Sequence, residues 1–351
     1  MKKILFLLLI PLSLVQAQQK ADAPLNVILM IGDGMGLSQI SAGMYVNGNK
    51  TVLEDFPVIG LSKTHATKNL VTDSAASGTA MACGEKTYNG AVGISAKNIK
   101  LKSILEICEE NGYNTGLIAT SSIVHATPAS FYANVHSRRK YEEIAVQLSE
   151  SEVDYFIGGG KDFFEKREDE RNLIKEMTSV DVVKNLRTYK KSTADRIGLF
   201  TYAGEPPSIN EGRDPLLGEY LSATLEKLSS REEPFFVLVE GSQIDWGGHA
   251  NDIDYITSEF IEFDNTIGVA LDFAKNNPNT LVIVTADHET GGLAVIKGTT
   301  QPFKVEASFN TLGHSATMVP VFSYGNGSQL FGGIYENTQI FQNMKKAMNL
   351  N

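Results

Sequence analysis

The sequence predicts a three-layer α/β/α fold around a central, mostly parallel sheet, and two observations carry that prediction. The first is a set of oily, β-branched runs: Asn26–Asp33 (NVILMIGD), Phe235–Asp245 (FFVLVEGSQID) and Leu281–His288 (LVIVTADH). Runs of this kind read as strands buried on both faces, the condition of a parallel sheet. The second is the return of helical stretches between strands, which parallel neighbours need for their crossovers. Each run also stops at acids followed by glycine or histidine. In open α/β sheets the carboxyl edge is where ligands collect. A strand gains nothing from a carboxylate at its tip, because a buried unpaired charge is costly. Three such tips imply one shared compensating partner, and metal is the natural one.

The elements follow in order. Residues 1–17 (MKKILFLLLIPLSLVQA) join two lysines to an apolar stretch, Ile4–Val15, and end in small residues. That is the pattern of a secretory signal peptide cut near Ala17. The stretch is shorter than the ~20 residues a membrane span needs, so no membrane anchor is expected and the mature chain, residues 18–351, should be periplasmic or secreted as a single domain. Met35–Tyr45 reads as a helix under the Gly32–Gly36 turn, and Asp73–Cys83, rich in alanine and serine, opens another. Ile99–Asn111 has helical apolar spacing. Thr115–Thr120 and Tyr155–Gly160 read as short strands, and Asp252–Phe273 as a long amphipathic helix. Residues 161–191 break the pattern with mixed charges, as an insertion or solvated region at the domain's edge.

Composition narrows the function classes. The formal charge is −10, from 31 Lys and Arg against 41 Asp and Glu. No basic stripe is present, which disfavours nucleic acid and anionic membranes as partners. Cys83 and Cys108 either pair in an oxidising compartment or stay as free thiols. Eleven prolines against 31 glycines hint at loose loops.

The motifs sharpen the reading. Gly32–Gly36 (GDGMG) has GxGxG spacing, not the GxGxxG of dinucleotide sites, and Asp33 would oppose a pyrophosphate. A metal-ligating Asp33 explains the glycines as room for close approach; a capping aspartate is the plainer alternative. In Val71–Gly90 (VTDSAASGTAMACGEKTYNG), Ser74 sits where a helix begins, in positive potential beside free N–H groups. That suits a nucleophile, although Asp73 or Ser74 could serve only as a cap. Glu240, Asp245 and His249 lie in EGSQIDWGGH, and Asp/His with an open position suits catalytic zinc. Asp287 and His288 add an oxygen and a nitrogen at the next strand end, and His314 (in NTLGHSA) a further imidazole. Thr127 (in HATP) suits a hard ion such as magnesium, and Arg138 offers a planar fork for phosphate oxygens. His65 and His136 have no companion motif and read as structural or exposed.

Taken together these segments resemble the alkaline phosphatase family, in the family's order from residue 26 to about residue 325. The resemblance implies hydrolysis of small phosphate monoesters to alcohol and phosphate through a phosphoserine on Ser74. It implies two Zn2+ and one Mg2+ per chain. One zinc would be held by Asp245, His249 and His314, the other by Asp33, Asp287 and His288 with Ser74 joining during reaction. Asp33, Thr127 and Glu240 would hold magnesium, Arg138 would grip phosphate, and Asp73 would orient Arg138. His125 and Trp246 stand beside the substrate at positions where the family varies; some members have an aspartate at His125 that orders water on magnesium. The short span between His288 and His314 matches compact bacterial members, some from cold environments, without a large crown insertion. A homodimer is implied by the family alone.

The competing readings are a phosphodiesterase or phosphonate hydrolase of the same superfamily, and a secreted metal- or phosphate-binding protein without turnover. A sulfatase is disfavoured because Ser74 lacks a C/S-x-P-x-R context.

Overall fold

The computed structural model describes residues 25–214 and 216–350, so the expected signal peptide lies outside the described residues. In chain order the strands are β1 (Asn26–Gly32), β2 (Val58–Lys63), β3 (Asn114–Ser122), β4 (Tyr155–Gly159), β5 (Asp181–Val183), β6 (Ile197–Phe200) and β7 (Phe235–Gly241). They continue with β8 (Thr280–Thr285), β9 (Glu289–Thr290), β10 (Ala294–Thr300), β11 (Phe303–Ser308), β12 (His314–Ser315), β13 (Val319–Gly325) and β14 (Gly333–Glu336). Ten of them form one sheet in the order β14-β2-β13-β8-β1-β7-β3-β4-β6-β5. Only β13 runs against its neighbours, β8 and β2.

The three runs singled out in the sequence are the three adjacent central strands, β8, β1 and β7. Their register is level, with Ile31 of β1 opposite both Glu240 and Thr285. The acids that follow therefore emerge at one edge.

β1 alternates its side chains between two cores. Val27, Leu29 and Ile31 pack with helices α2 (Ser74–Cys83), α3 (Ile104–Glu110), α4 (Tyr141–Glu150) and α8 (Thr338–Ala347). Ile28 and Met30 pack on the opposite face with α1 (Leu37–Val46), α5 (Leu217–Ser229) and α7 (Ile253–Asn276), α6 (Gln243–Ala250) leading into the last. These β1 side chains are fully buried, and each Val, Leu or Ile so placed stabilises the fold by about 1.5–3 kcal/mol. This double burial is why the strand reads as an unbroken apolar run.

Boundaries depart from expectation where capping chemistry decides. The first helix begins at Leu37 rather than Met35 because Gly34, at φ +72°, still belongs to the turn. The helix expected from Ile99 begins at Ile104, since Ser103 and Glu106 form a reciprocal cap. Residues 161–191 supply short helices and β5, the sheet's edge strand, while burying Phe164, Leu173 and Tyr189. Between His288 and His314 lie only the β9–β12 pair and the β10–β11 hairpin, with no large insertion. Cys83 and Cys108 are free thiols.

Candidate active site

Every residue that the sequence singles out for the site lies at or beside the carboxyl edge of the central strands. Asp33 follows β1, Glu240 ends β7, and Asp287 and His288 follow β8. Asp245 and His249 stand one turn apart on α6, four residues being the spacing that places two side chains on one helical face. Asp73 caps α2, its carboxylate accepting from Ala76 N at 3.0 Å, so Ser74 opens the first turn. Ser74 Oγ is then 3.3 Å from His288 Nε2. Arg138 donates to Asp73 at 3.2 Å and lies 3.3 Å from His125 Nε2, while Trp246 meets the His125 ring edge-on at 6.1 Å. His65 instead pairs with Glu336, and His136 is exposed.

Donor atoms converge in three groups, each with its atoms within 4.8 Å of one another: Asp245, His249 and His314; Asp33, Asp245 and His288; and Asp33, His125 and Glu240. Asp33 and Asp245 each belong to two groups. Asp287 joins through His288, whose Nε2 is 3.0 Å from Asp287 Oδ2 and 3.4 Å from Asp33 Oδ1.

The imidazoles are oriented from behind. His249 Nδ1 lies 2.6 Å from the Leu312 carbonyl and His314 Nδ1 lies 2.8 Å from the Thr72 carbonyl. A carbonyl only accepts, so each Nδ1 carries a proton and each Nε2 faces the pocket. That is the posture of metal-ligating histidine.

The electrostatics are those of a pocket crowded with negative charge. Burial, then the charges of Asp287, Asp245 and Glu240, pushes Asp33 well above the usual carboxylate range. Burial lifts Glu240 to about 7, although Ser242 hydrogen-bonds it. For Asp245 and Asp287 burial acts upward too, but the histidines outweigh it and both are held low. His249 rises to about 9 through its bond to Asp245. Burial and Arg138 hold His125 down to about 3, so it is neutral.

These donors fit cations. Both Asp33 oxygens, Glu240 Oε1 and Thr127 Oγ1 are buried without a hydrogen-bond partner, a condition proteins avoid unless another group satisfies the atoms. The first group is a nitrogen/oxygen set of the zinc type. Asp33, Glu240 and Thr127 are hard oxygens of the magnesium type.

Sequence reasoning missed the residues that tie the segments together. Gln39 of α1 donates to Glu289 Oε1 at 2.8 Å and to the Thr290 carbonyl at 2.7 Å, while Ser315 donates to the other Glu289 oxygen. Thr290 Oγ1 lies between Asp245 Oδ1, at 2.5 Å, and His288 Nδ1, at 3.2 Å. One signal was available: a hydroxyl two residues beyond a ligand in extended chain faces the same way.

Clustered carboxylates and imidazoles at the edge of a helix-covered parallel sheet, with a helix-opening serine beside them, are the features of a metal-dependent α/β enzyme. Comparison with known proteins gives the family. The family model described as alkaline phosphatase matches residues 25–308. Alkaline phosphatase 3 of Bacillus subtilis is 35% identical, the match covering 93% of this chain and 89% of the relative. Alkaline phosphatase of Escherichia coli is 31% identical over 93% and 86%. The solved alkaline phosphatase from the Antarctic bacterium TAB5 superposes with a TM-score of 0.88 at 42% identity, covering 93% of this chain and 98% of that one, and a variant of it has magnesium bound. The chain belongs to the alkaline phosphatase family.

Proposed function

We propose that this chain hydrolyses phosphate monoesters to alcohol and inorganic phosphate, with Ser74 as nucleophile. The observation that carries the reading is the position of Ser74 Oγ, 3.3 Å from His288 Nε2 at the meeting point of the donor groups. Zinc would be held by Asp245, His249 and His314 and by Asp33, Asp287 and His288, with Ser74 beside the second set. Magnesium would be held by Asp33, Thr127 and Glu240. When bound, such ions neutralise phosphoryl oxygens and make hydroxyl groups acidic.

The chain's own residues do the positioning that phosphoryl transfer requires. Arg138, fixed by Asp73 and facing neutral His125, presents its fork to two phosphate oxygens. The start of α2 adds positive potential at the same point. In the first step the Ser74 hydroxyl gives its proton to solvent and its oxygen bonds to phosphorus as the ester P–O bond breaks; solvent returns a proton to the departing alkoxide, which leaves as the alcohol. In the second, water attacks the phosphoserine, phosphate departs, and Ser74 recovers its proton.

Trp246 and His125 border the phosphate side of the pocket and leave the alcohol loosely selected. The chain is further proposed to be exported to the periplasm or medium after cleavage near Ala17, and to act as a homodimer; N-terminal sequencing and solution mass test those two points.

Ser74→Ala should reduce hydrolysis of a chromogenic phosphomonoester to the assay background while metal per chain, measured on the same preparation, stays at the wild-type level. Normal steady-state rates in that variant would remove the covalent route. Faster hydrolysis of the corresponding diester than of the monoester by the wild type would favour a diesterase.

A further inference from the structure

We infer that Thr290 is a positioning residue that couples two of the donor groups, through a relay Asp245–Thr290–His288. The inference rests on the metal-binding reading above, and it concerns a residue that no motif marks. Thr290 Oγ1 is 2.5 Å from Asp245 Oδ1 and 3.2 Å from His288 Nδ1. A hydroxyl has one proton. A carboxylate that ligates a cation is ionised and can only accept. Thr290 therefore donates to Asp245 and turns a lone pair to His288, which makes His288 Nδ1 the donor of the second bond.

That assignment fixes the ring's outward face. With a proton on Nδ1 held by Thr290, His288 keeps Nε2 turned toward Asp33, Asp287 and Ser74, the nitrogen left to meet a cation. Without the Thr290 acceptor the Nδ1–H loses its partner and the ring is free to turn, with Asp287 Oδ2, 3.0 Å from Nε2, competing for the nitrogen that a cation needs. One hydroxyl thus orients a carboxylate shared by two groups and the imidazole of one of them.

The packing around Thr290 supports a built position. A side chain at Gly34 would come within 2.8 Å of Thr290 Oγ1, and one at Gly248 within 2.8 Å of Thr290 Cβ and Cγ2. The two glycine-bearing turns that carry Asp33 and His249 are therefore both closed against this residue. Thr290 itself is fully buried.

The test uses zinc-loaded full-length enzyme as wild type, Thr290→Val and Thr290→Ser, dialysed against graded chelator, with metal per chain as the readout. Thr290→Val keeps the shape and removes the hydroxyl. It should release metal at roughly 10- to 100-fold lower chelator concentration, the usual cost of losing an outer-sphere partner, and Thr290→Ser should stay within about threefold of wild type. In a 15N-edited spectrum of the loaded wild type, His288 Nδ1 should carry a protected, downfield proton that moves upfield in Thr290→Val. Equal metal retention in Thr290→Val and wild type would overturn the inference. So would an unprotonated Nδ1 in wild type, an outcome that needs no variant to fold. Failure of wild type to retain metal would instead strike the metal-binding reading.

Discussion

Two regions bury carboxylates at similar depth and satisfy them in opposite ways. Behind the loop 201–214, Glu259 takes a forked pair from Arg213 at 3.1 and 2.5 Å and a further bond from Ile209 N, while neighbouring Glu262 accepts from Leu217 N at 2.7 Å. In the candidate site, Asp33 is fully buried with neither oxygen hydrogen-bonded, and Glu240 leaves one oxygen unpartnered. A buried ion pair brings its own counter-charge; a buried carboxylate without one is built to receive it from outside. Depth alone does not mark a functional acid. What distinguishes the site is charge left for an exogenous cation.

The strongest way to break that comparison is to remove one of the two acids that belong to two donor groups. Asp245→Ala should strip cations from both, and turnover should fall well beyond the roughly 100-fold that outer-sphere changes cost. Metal content and rate on one preparation check this, and full metal retention would mean that Asp245 is not a ligand. The opposite substitution addresses the paired region. Arg213→Met leaves Glu259 and Glu262 buried without their cation, and global stability should drop by about 3–5 kcal/mol in denaturant unfolding. Turnover per folded molecule should be retained, because Arg213 touches nothing in the site. A variant as stable as wild type would show that the pair holds little of the fold.

The unequal legibility of the two regions has a physical reason. Asp33, Asp245, His249, Asp287 and His288 sit in contiguous motifs because strand ends and a single helical turn concentrate ligands within a few residues. The sheet's centre was readable for the same reason, since β1, β7 and β8 are buried on both faces. Gln39, Glu289 and Thr290 were not, because their partners are brought together only by packing between distant segments. The same holds for Arg213 and Glu259, whose charges look like ordinary surface in a chain this acidic. The β2–β13–β14 wing escaped notice as well. β2 is half-exposed, and Pro320 lies inside β13, where a residue without an N–H argues against an internal strand. β13 nevertheless pairs on both sides, and the Pro320 carbonyl accepts from Thr285 Oγ1 at 2.9 Å.

The smallest effect tests whether the paired region is fully compensated. Burial lifts Glu262 to about 7, against the downward pull of Arg213 and the bond from Leu217 N, with Glu259 opposing. A folded-state pKa above the unfolded one means that the native protein holds the extra proton between the ordinary glutamate range and about 7. Stability from this group is therefore complete below the unfolded pKa and declines as pH rises through the folded one. Glu262→Gln keeps the acceptor for Leu217 N and removes the titration. Its stability should match wild type near pH 4.5 and exceed it near pH 8, by on the order of 1 kcal/mol per unit of pKa shift. Parallel stability–pH curves for the two proteins would mean that Arg213 and the Leu217 N–H fully compensate Glu262, and the contrast with the candidate site would then be sharper.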